Sequence, residues 1–332
     1  MSQNFRSLVT GGAGFIGSHM VLALLERGGE VVVVDNLSTG HAAAVPPDAQ
    51  LIEADLADRD AVHAIVSQGP WDAVFHFAAQ SLVGESMQQP FTYFRSNVTG
   101  GLNLIEACAA SGIRRFVLSS TANLFGAPAS IPIADDAPIA PSSPYGESKY
   151  MLEQMLHWAD ARYGMRSACL RYFNAAGADP AGRAGEDHRP ESHLIPAAID
   201  AALGRRPPLA LFGDDYPTPD GTCIRDYVHV SDLAEAHLQV LPLLDGASWR
   251  LNVGTGQGHS VREVIASVER VTGRPVPVEP APRRPGDPPV LVADAALLRR
   301  LTEWSPRHAG LDAMVQTACA WRLAHPAGYD PL

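Results

Sequence analysis

A short apolar run at residues 7–10 leads directly into Gly11-Gly12-Ala13-Gly14-Phe15-Ile16-Gly17, and a helical pattern begins at once behind it. No other stretch narrows the choice of fold as far. Glycines at these spacings permit a tight turn, close approach of backbone to a ligand, and close packing of helix on strand. The helix then offers free N–H groups and the positive end of its dipole. Both GxGxxG (Gly12, Gly14, Gly17) and GxxGxxG (Gly11, Gly14, Gly17) are satisfied. By itself such a match is weak, because many glycine turns bind nothing. Asp35 strengthens it. It ends the next apolar run, where its carboxylate can accept from both hydroxyls of an adenosine ribose and would repel a 2′-phosphate. The pair predicts a site for NAD rather than NADP.

The same alternation continues. Residues 7–10, 31–35, 51–53, 73–77, 115–120 and 168–172 read as short buried strands, rich in Val, Ile, Leu and Phe. Between them, residues 14–27, 58–67, 90–110 and 144–163 read as helices. Strands and helices in this order predict an α/β fold of Rossmann type, a doubly wound parallel sheet covered on both faces. Beyond Asn174 the texture becomes loop-rich, with helical pieces at 194–203, 231–241, 260–271 and 311–322. We therefore expect an NAD-binding domain over 1–174 and a smaller, loop-rich substrate-binding domain over 175–332, with part of 225–241 returning to the first.

Composition sets the partners. The net charge of −11 repels nucleic acid and anionic membrane, so an anionic substrate would need a local cluster of arginines. The four cysteines, Cys108, Cys169, Cys223 and Cys319, are scattered and show no zinc spacing; reduced thiols and no metal are expected. No apolar run reaches membrane-spanning length and no signal peptide is recognisable, which makes the cytoplasm the expected compartment.

Tyr145 and Lys149 lie four apart at the start of a predicted helix behind Pro144, on one helical face. An ammonium close by favours phenolate over phenol, and a positive nicotinamide ring would add to this, giving a tyrosine able to act as base and acid near neutrality. YxxxK alone is a common surface pair. Ser119-Ser120-Thr121, at the end of the preceding strand, changes its weight: strand ends in such sheets face the ligand crevice, where a Thr121 hydroxyl could hold a substrate hydroxyl against Tyr145.

Glycine turn, strand-end hydroxyl and YxxxK, in that order, resemble the extended short-chain dehydrogenase/reductase family. Nearly the whole chain resembles one branch of it, the UDP-glucose 4-epimerases. The run Asp214-Asp215-Tyr216-Pro217-Thr218-Pro219-Asp220-Gly221-Thr222, followed by Ile224-Arg225-Asp226-Tyr227-Val228-His229-Val230, is the most specific part. The stretches Val34-Asp35-Asn36-Leu37, His76-Phe77-Ala78-Ala79, Val83-Gly84-Glu85-Ser86 and 281–287 add to it.

The resemblance implies inversion of carbon 4 of a UDP-linked hexose, UDP-glucose to UDP-galactose and back, through a transient 4-keto sugar, with NAD as cofactor and a homodimer as the assembly. Residues 90–110 and 149–163 would supply a helical-bundle interface. It implies that Tyr145 is the acid and base, that Lys149 tunes it and holds the nicotinamide ribose, and that Thr121 binds the reacting oxygen. The cofactor would be held by Gly11, Gly14, Phe15, Ile16 and Gly17, by Asp35, Asn36, Leu37, Ser38, Thr39 and Gly40, by Asp55 and Leu56 beside the adenine, by Phe77, Ala78, Ala79, Ser81 and Ser96, and by Phe173 near the carboxamide. The UDP-hexose would meet Asn174, His193, Leu194, Ala210, Leu211, Phe212, Arg225, Arg284, Asp287 and Leu291. Arg225 and Arg284 fit the diphosphate, Asp287 the ribose hydroxyls, and Phe212 the uracil. Leu291 would border the sugar pocket, where size governs acceptance of a 2-acetamido group; packing as an ordinary core residue is weighed nearly as heavily.

Three positions depart from the common pattern. Ser81 replaces a frequent lysine near the nicotinamide ribose, Ser96 precedes Asn97 where an Asn-Asn pair is frequent, and His193 stands where some members have Asn. These affect individual hydrogen bonds, not the reaction. His19, His76 and His229 read as structural. Among alternatives, a nucleotide-sugar 4,6-dehydratase would need an Asp-Glu pair after the threonine, and Ala122-Asn123 stand there. An NAD-sensing regulator would typically lack the tyrosine or lysine. A UDP-glucuronate or UDP-N-acetylhexosamine 4-epimerase stays open, the former needing an added cation near the sugar.

Overall fold

A computed structural model describes residues 5–284 and 287–329. Its centre is a seven-stranded, wholly parallel sheet. Its strands are β1 (Arg6–Thr10), β2 (Glu30–Asp35), β3 (Gln50–Glu53), β4 (Ala73–His76), β5 (Arg115–Thr121), β6 (Arg166–Tyr172) and, from much later in the chain, β10 (Trp249–Val253). The order is β10-β6-β5-β4-β1-β2-β3. Order reverses beside β1, where β2 lies on one side and β4 on the other. In doubly wound sheets the crevice beyond the strand ends at this point is where ligands bind, and the glycine turn follows β1 there.

Burial on both faces explains the continuous apolar runs, and the period of two sorts them. Val9, Val33, Phe75, Val117, Leu170 and Leu251 point to one core. Leu8, Val32, Val74, Phe116, Leu118 and Cys169 point to the other. The first core is closed by α1 (Phe15–Leu25), α8 (Val230–Gln239) and the fully buried Trp304. The second is closed by α2 (Arg59–Val66), α5 (Gly100–Ala110) and α6 (Pro144–Tyr163).

Helix α6 has strong local punctuation. Ser143 accepts from the Gly146 N–H at 3.1 Å, Pro144 opens the first turn, and Gly164 ends it at φ 66°. The stretch expected as one helix over 90–110 is α4 (Pro90–Tyr93), a π-helical segment (Phe94–Thr99) and α5. A short α3 (Val83–Gln88) precedes it.

The later half adds a second layer. Strands β7 (Asn174–Ala176), β9 (Ile224–His229), β11 (Gly258–Ser260) and β13 (Val290–Leu291) form a small mixed sheet around β9, and β8 (Leu209–Phe212) pairs with β12 (Val278–Ala281). Helices α7 (Leu194–Ala202), α9 (Val261–Thr272) and α11 (Leu311–Ala324) pack together over Tyr227 and Leu209, while α10 (Ala296–Leu301) returns Leu298 to the first core. Thus α8, β10 and α10, all beyond residue 174, pack with the central sheet. No helix among the described residues is long and apolar enough to cross a membrane.

Candidate active site

At the end of β1 the backbone leaves no room for side chains. Gly11 sits at φ +74°, and a Cβ there would lie 2.3 Å from the Ala78 nitrogen; one on Gly17 would lie 2.0 Å from the Gly11 carbonyl oxygen. This packing sets α1 tightly on the strand and opens a cleft of about 100 Å³ over the turn. Of the residues expected to hold a dinucleotide, Gly11, Gly14, Asp35, Asn36, Ser38, Thr39, Gly40, Asp55, Leu56, Phe77, Ala78, Ala79 and Ser96 line this one cleft. Phe15, Ile16 and Gly17 form the first turn of α1 beside it. Ser81 is exposed and does not line the cleft; Gln80 does.

Asp35 is 8% exposed and both its oxygens are engaged: Oδ1 accepts from the Leu37 N–H at 2.9 Å and Oδ2 from the Ala13 N–H at 3.0 Å. Burial pushes its carboxyl up, and these two bonds pull it back. Each carboxylate oxygen keeps a second lone pair for a hydroxyl donor. Leu37 is at φ 55°, a conformation that costs a non-glycine residue of order 1–3 kcal/mol and clusters at functional sites. Asn97, in the π-helical turn, clamps the far side. Its Oδ1 accepts from the Gln80 N–H at 2.8 Å, and its Nδ2 donates to the Gln80 carbonyl at 3.0 Å and to Ser148 Oγ at 2.9 Å. The sequence reading gave neither Gln80 nor this role of Asn97; an unbroken helical pattern hides a π turn.

At the end of β5, the Thr121 hydroxyl faces Tyr145, and Thr121 Oγ1 accepts from the Asn123 N–H and Nδ2 at 3.2 and 3.1 Å. Lys149 is 1% exposed and its Nζ donates to the Ser119 carbonyl at 2.9 Å. Burial pushes Tyr145 up to about 12, with the Thr121 hydroxyl acting against it, and pushes Lys149 down to about 8. In the protein alone, therefore, desolvation outweighs the benefit expected from the lysine. A phenolate near neutrality needs further positive charge in the site.

The second layer places the nucleotide-sugar candidates. Arg225 on β9 forms an ion pair with Asp287, donates to the Ile224 carbonyl at 2.8 Å, and stands in register with Leu291. The Arg284 guanidinium lies 4.0 Å over the Phe212 ring, a cation–π contact. Along β8, Ala210 and Phe212 are exposed whereas Leu211 is 5% exposed, so its side chain belongs to the core. Phe173, just ahead of Asn174 at the start of β7, packs with Leu291 against Phe125 and Ile133.

His193 precedes Leu194 at the mouth of α7, and its Nδ1 pairs with Glu186. His188 and Glu191 complete a group of metal-ligand types that the sequence spacing did not single out. Its imidazoles are raised by the carboxylates against the effect of burial, His188 to about 10, and His188 and His193 both pair with Glu186.

The expected structural histidines have polar partners in the fold. His76 Nδ1 meets Thr10 Oγ1 at 2.7 Å, His19 Nδ1 the Phe15 carbonyl at 2.7 Å, and His229 accepts from the Ser231 N–H at the start of α8. A larger cavity, about 360 Å³, lies at the opposite end of β6 and β10, lined by Arg166, Ser167, Trp249 and Arg250; none of the expected site residues reaches it.

Residues 7–254 match the family described as "NAD dependent epimerase/dehydratase family". The chain belongs to that family. Among its relatives, the UDP-glucose 4-epimerase of Halalkalibacterium halodurans is 50% identical over 325 residues, 97% of each chain. That of Azospirillum brasilense is 51% identical over 95% of this chain and 91% of its own. The crystal structure of the Bifidobacterium longum UDP-glucose 4-epimerase in complex with NAD+ and UDP superposes with a TM-score of 0.93 at 34% identity, covering 97% of this chain and 99% of that one. In this NAD-dependent epimerase/dehydratase family member the glycine turn follows β1, and Tyr145 and Lys149 lie on α6.

Proposed function

We propose that the protein inverts carbon 4 of UDP-glucose and UDP-galactose with tightly held NAD. The observation that carries this reading is the meeting, at one end of one sheet, of the dinucleotide cleft and the Thr121–Tyr145–Lys149 group. The near-full-length likeness to UDP-glucose 4-epimerases selects the reaction within the family.

The cleft suits NAD on its own terms. Gly11 and Gly17 let the turn and α1 pack close against neighbouring backbone, which brings the N-terminus of α1 to the pyrophosphate, and Asp35 and Asn36 stand at the ribose end. When bound, NAD supplies a reversible two-electron oxidation at C4, and its positive ring adds the charge that lowers Tyr145. Tyr145 then accepts the proton of the 4-hydroxyl, and Thr121 holds that oxygen. Lys149, anchored on Ser119, keeps a cation beside the phenolate. The 4-keto sugar turns about its link to the diphosphate, so that the two-electron reduction by the bound cofactor would meet the opposite face of C4 while Tyr145 gives its proton back to the 4-oxygen. Arg225 and Arg284 grip the diphosphate while the hexose stays loosely held. The ion pair with Asp287 pre-orients Arg225 and leaves guanidinium N–H groups for phosphate. Ala122-Asn123, where a dehydratase would place carboxylates, favours epimerisation over elimination.

In functional terms, residues 1–174 with α8 and β10 hold the cofactor, and most of 175–332 holds the nucleotide sugar. A homodimer fits the exposed apolar side chains on α4, α5 and α6: Phe91 at 75%, Leu102 at 46% and Trp158 at 70%. Four free cysteines, all buried, suit a reducing cytoplasm.

The test is incubation of the purified protein with UDP-galactose and identification of the product by NMR. UDP-glucose at equilibrium supports the proposal, and a 4-keto-6-deoxy sugar or unchanged substrate refutes it.

A further inference from the structure

Glu153 lies on α6, one helical turn beyond Lys149 and two beyond Tyr145, and it is 0% exposed. A carboxylate buried this completely costs several kcal/mol unless its oxygens are fully partnered. Here they are. Oε1 accepts from Ser120 Oγ at 2.7 Å and from Arg171 Nε at 2.9 Å, and Oε2 accepts from Arg171 Nη2 at 2.6 Å. Arg250 Nε on β10 stands 3.3 Å from Oε2. Arg171 is itself 3% exposed and donates onward to the Asp135 carbonyl at 3.0 Å. Asp135 Oδ1 in turn accepts from the Asn252 N–H of β10 at 2.5 Å.

The register of these contacts is informative. Three consecutive residues at the end of β5 meet three polar groups of α6. Ser119 takes Lys149 through its carbonyl and Ser120 takes Glu153 through its hydroxyl, each by a hydrogen bond, and the Thr121 hydroxyl faces Tyr145. The groups held stand at helix positions i+4, i+8 and i, so they fall on one side of α6. Two of the three ties belong to the reacting group. The third, at Glu153, is the only one of them fastened by a bidentate ion pair to the neighbouring strand β6, through the residue beside Tyr172. A bidentate guanidinium–carboxylate pair fixes orientation as well as distance.

We propose that Glu153 is a positioning residue for the reaction: its tie to Ser120 and Arg171 sets the rotation and height of α6, so that Tyr145 and Lys149 meet Thr121 and Ser119 at reacting distance. The inference deepens the epimerase reading and rests on it. Glu153 touches neither substrate nor cofactor; it acts through the helix that carries the two residues that do.

The test uses the NAD-loaded enzyme, with all rates expressed per bound NAD. Glu153→Gln keeps the shape and an acceptor for Ser120 but removes the charge paired with Arg171. Ser120→Ala removes only the strand-side bond and leaves the ion pair, so it tests the idea even if Glu153→Gln folds poorly. Glu153→Gln is expected to lower kcat for UDP-galactose roughly 10- to 100-fold, the scale of an ångström-sized misplacement, with KM within about twofold. Ser120→Ala is expected to lose about 2- to 5-fold, the equivalent of a weak hydrogen bond. In both, the rising limb of kcat against pH should move to higher pH, because Tyr145 then sits less favourably against its cations. Wild-type kcat and an unmoved limb in the folded variants would overturn the proposal. So would a loss that vanishes once rates are expressed per bound NAD, which marks a role in stability alone. Wild-type enzyme in the same assay separates the two readings: its own inactivity refutes the epimerase function, whereas equal rates in wild type and variants refute the positioning role.

Discussion

Lys149 donates to the backbone carbonyl of Ser119, 2.9 Å away, and so is held at the strand end that carries Thr121. With the ammonium fixed there and 1% exposed, its charge acts at short range and is little screened. Its loss should be felt by Tyr145. Burial, opposed by the Thr121 hydroxyl, leaves that phenol at about 12, so activity near neutrality depends on neighbouring positive charge. The sign follows directly. Turnover requires phenolate, removing a cation raises the phenol further, and the rising limb of kcat in Lys149→Ala should move to higher pH. Tyr145→Phe, lacking the acid–base oxygen altogether, should lose on the order of 10²–10⁴-fold at every pH. A Lys149→Ala limb at the wild-type position would contradict the role given to the lysine.

Arg225 and Arg284 stand on separate segments of the second layer, one paired with Asp287 and the other stacked on Phe212. Replacing either by Ala should weaken UDP binding at least tenfold, the equivalent of one charge-assisted hydrogen bond of about 1.5–3 kcal/mol. Retention of NAD, measured after denaturation of the purified variants, should be unchanged. Equal loss of both ligands would point to unfolding of the layer instead.

Leu291 packs with Phe173, Phe125 and Ile133 and lies in register with Arg225, so it joins a small core to the strand that carries the arginine proposed for the diphosphate. If it also borders the sugar, a 2-acetamido group must displace it, at roughly 1–3 kcal/mol. The expected result is a higher kcat/KM for UDP-galactose than for its N-acetylated counterpart, with the gap narrowed in Leu291→Gly. An unchanged ratio in that variant, checked for folding by its thermal midpoint, would leave Leu291 as a core residue only.

Three buried histidines make stability depend on acid. Burial pushes His76 and His229 down to about 3 and His237 to about 4. Each is neutral in the fold, whereas the unfolded chain takes up a proton below about 6.5. Their contribution is therefore complete above that pH and is lost as pH falls toward their folded values, roughly 1–2 kcal/mol each by pH 5. Thermal melts of the NAD-loaded protein should show a clear fall in midpoint between pH 7 and pH 5, and a constant midpoint would contradict the assignment.

What the sequence reveals and what it hides divide along a physical line. The glycine turn, Asp35, Tyr145 and Lys149 are legible because each rests on local geometry: a turn, a strand end, one face of one helix. Strands β1, β2, β4, β5 and β6 are legible for a related reason, since a strand buried on both faces reads as a largely apolar run; β3, at the sheet edge, is marked only by Leu51 and Ile52. Strand β10 is not legible. Trp249–Val253 mixes Arg and Asn with apolar residues, and only its pairing with β6 reveals it. Glu153 and Arg171 are hidden in the same way, because a charged residue on a helix reads as solvated until a partner 18 residues away is seen to bury it. The π turn at Asn97 and the two-residue strand at Leu291 leave no periodic trace at all.

The central claim is that the hydrogen leaves C4 and returns to it within one closed site, with Tyr145 carrying only the proton. UDP-galactose deuterated at C4 tests this directly. The protein should convert it to UDP-glucose with the deuterium still at C4, read by NMR, and with no net change in the redox state of bound NAD. Exchange of that deuterium with solvent, or its appearance in a dehydrated product, would contradict the account.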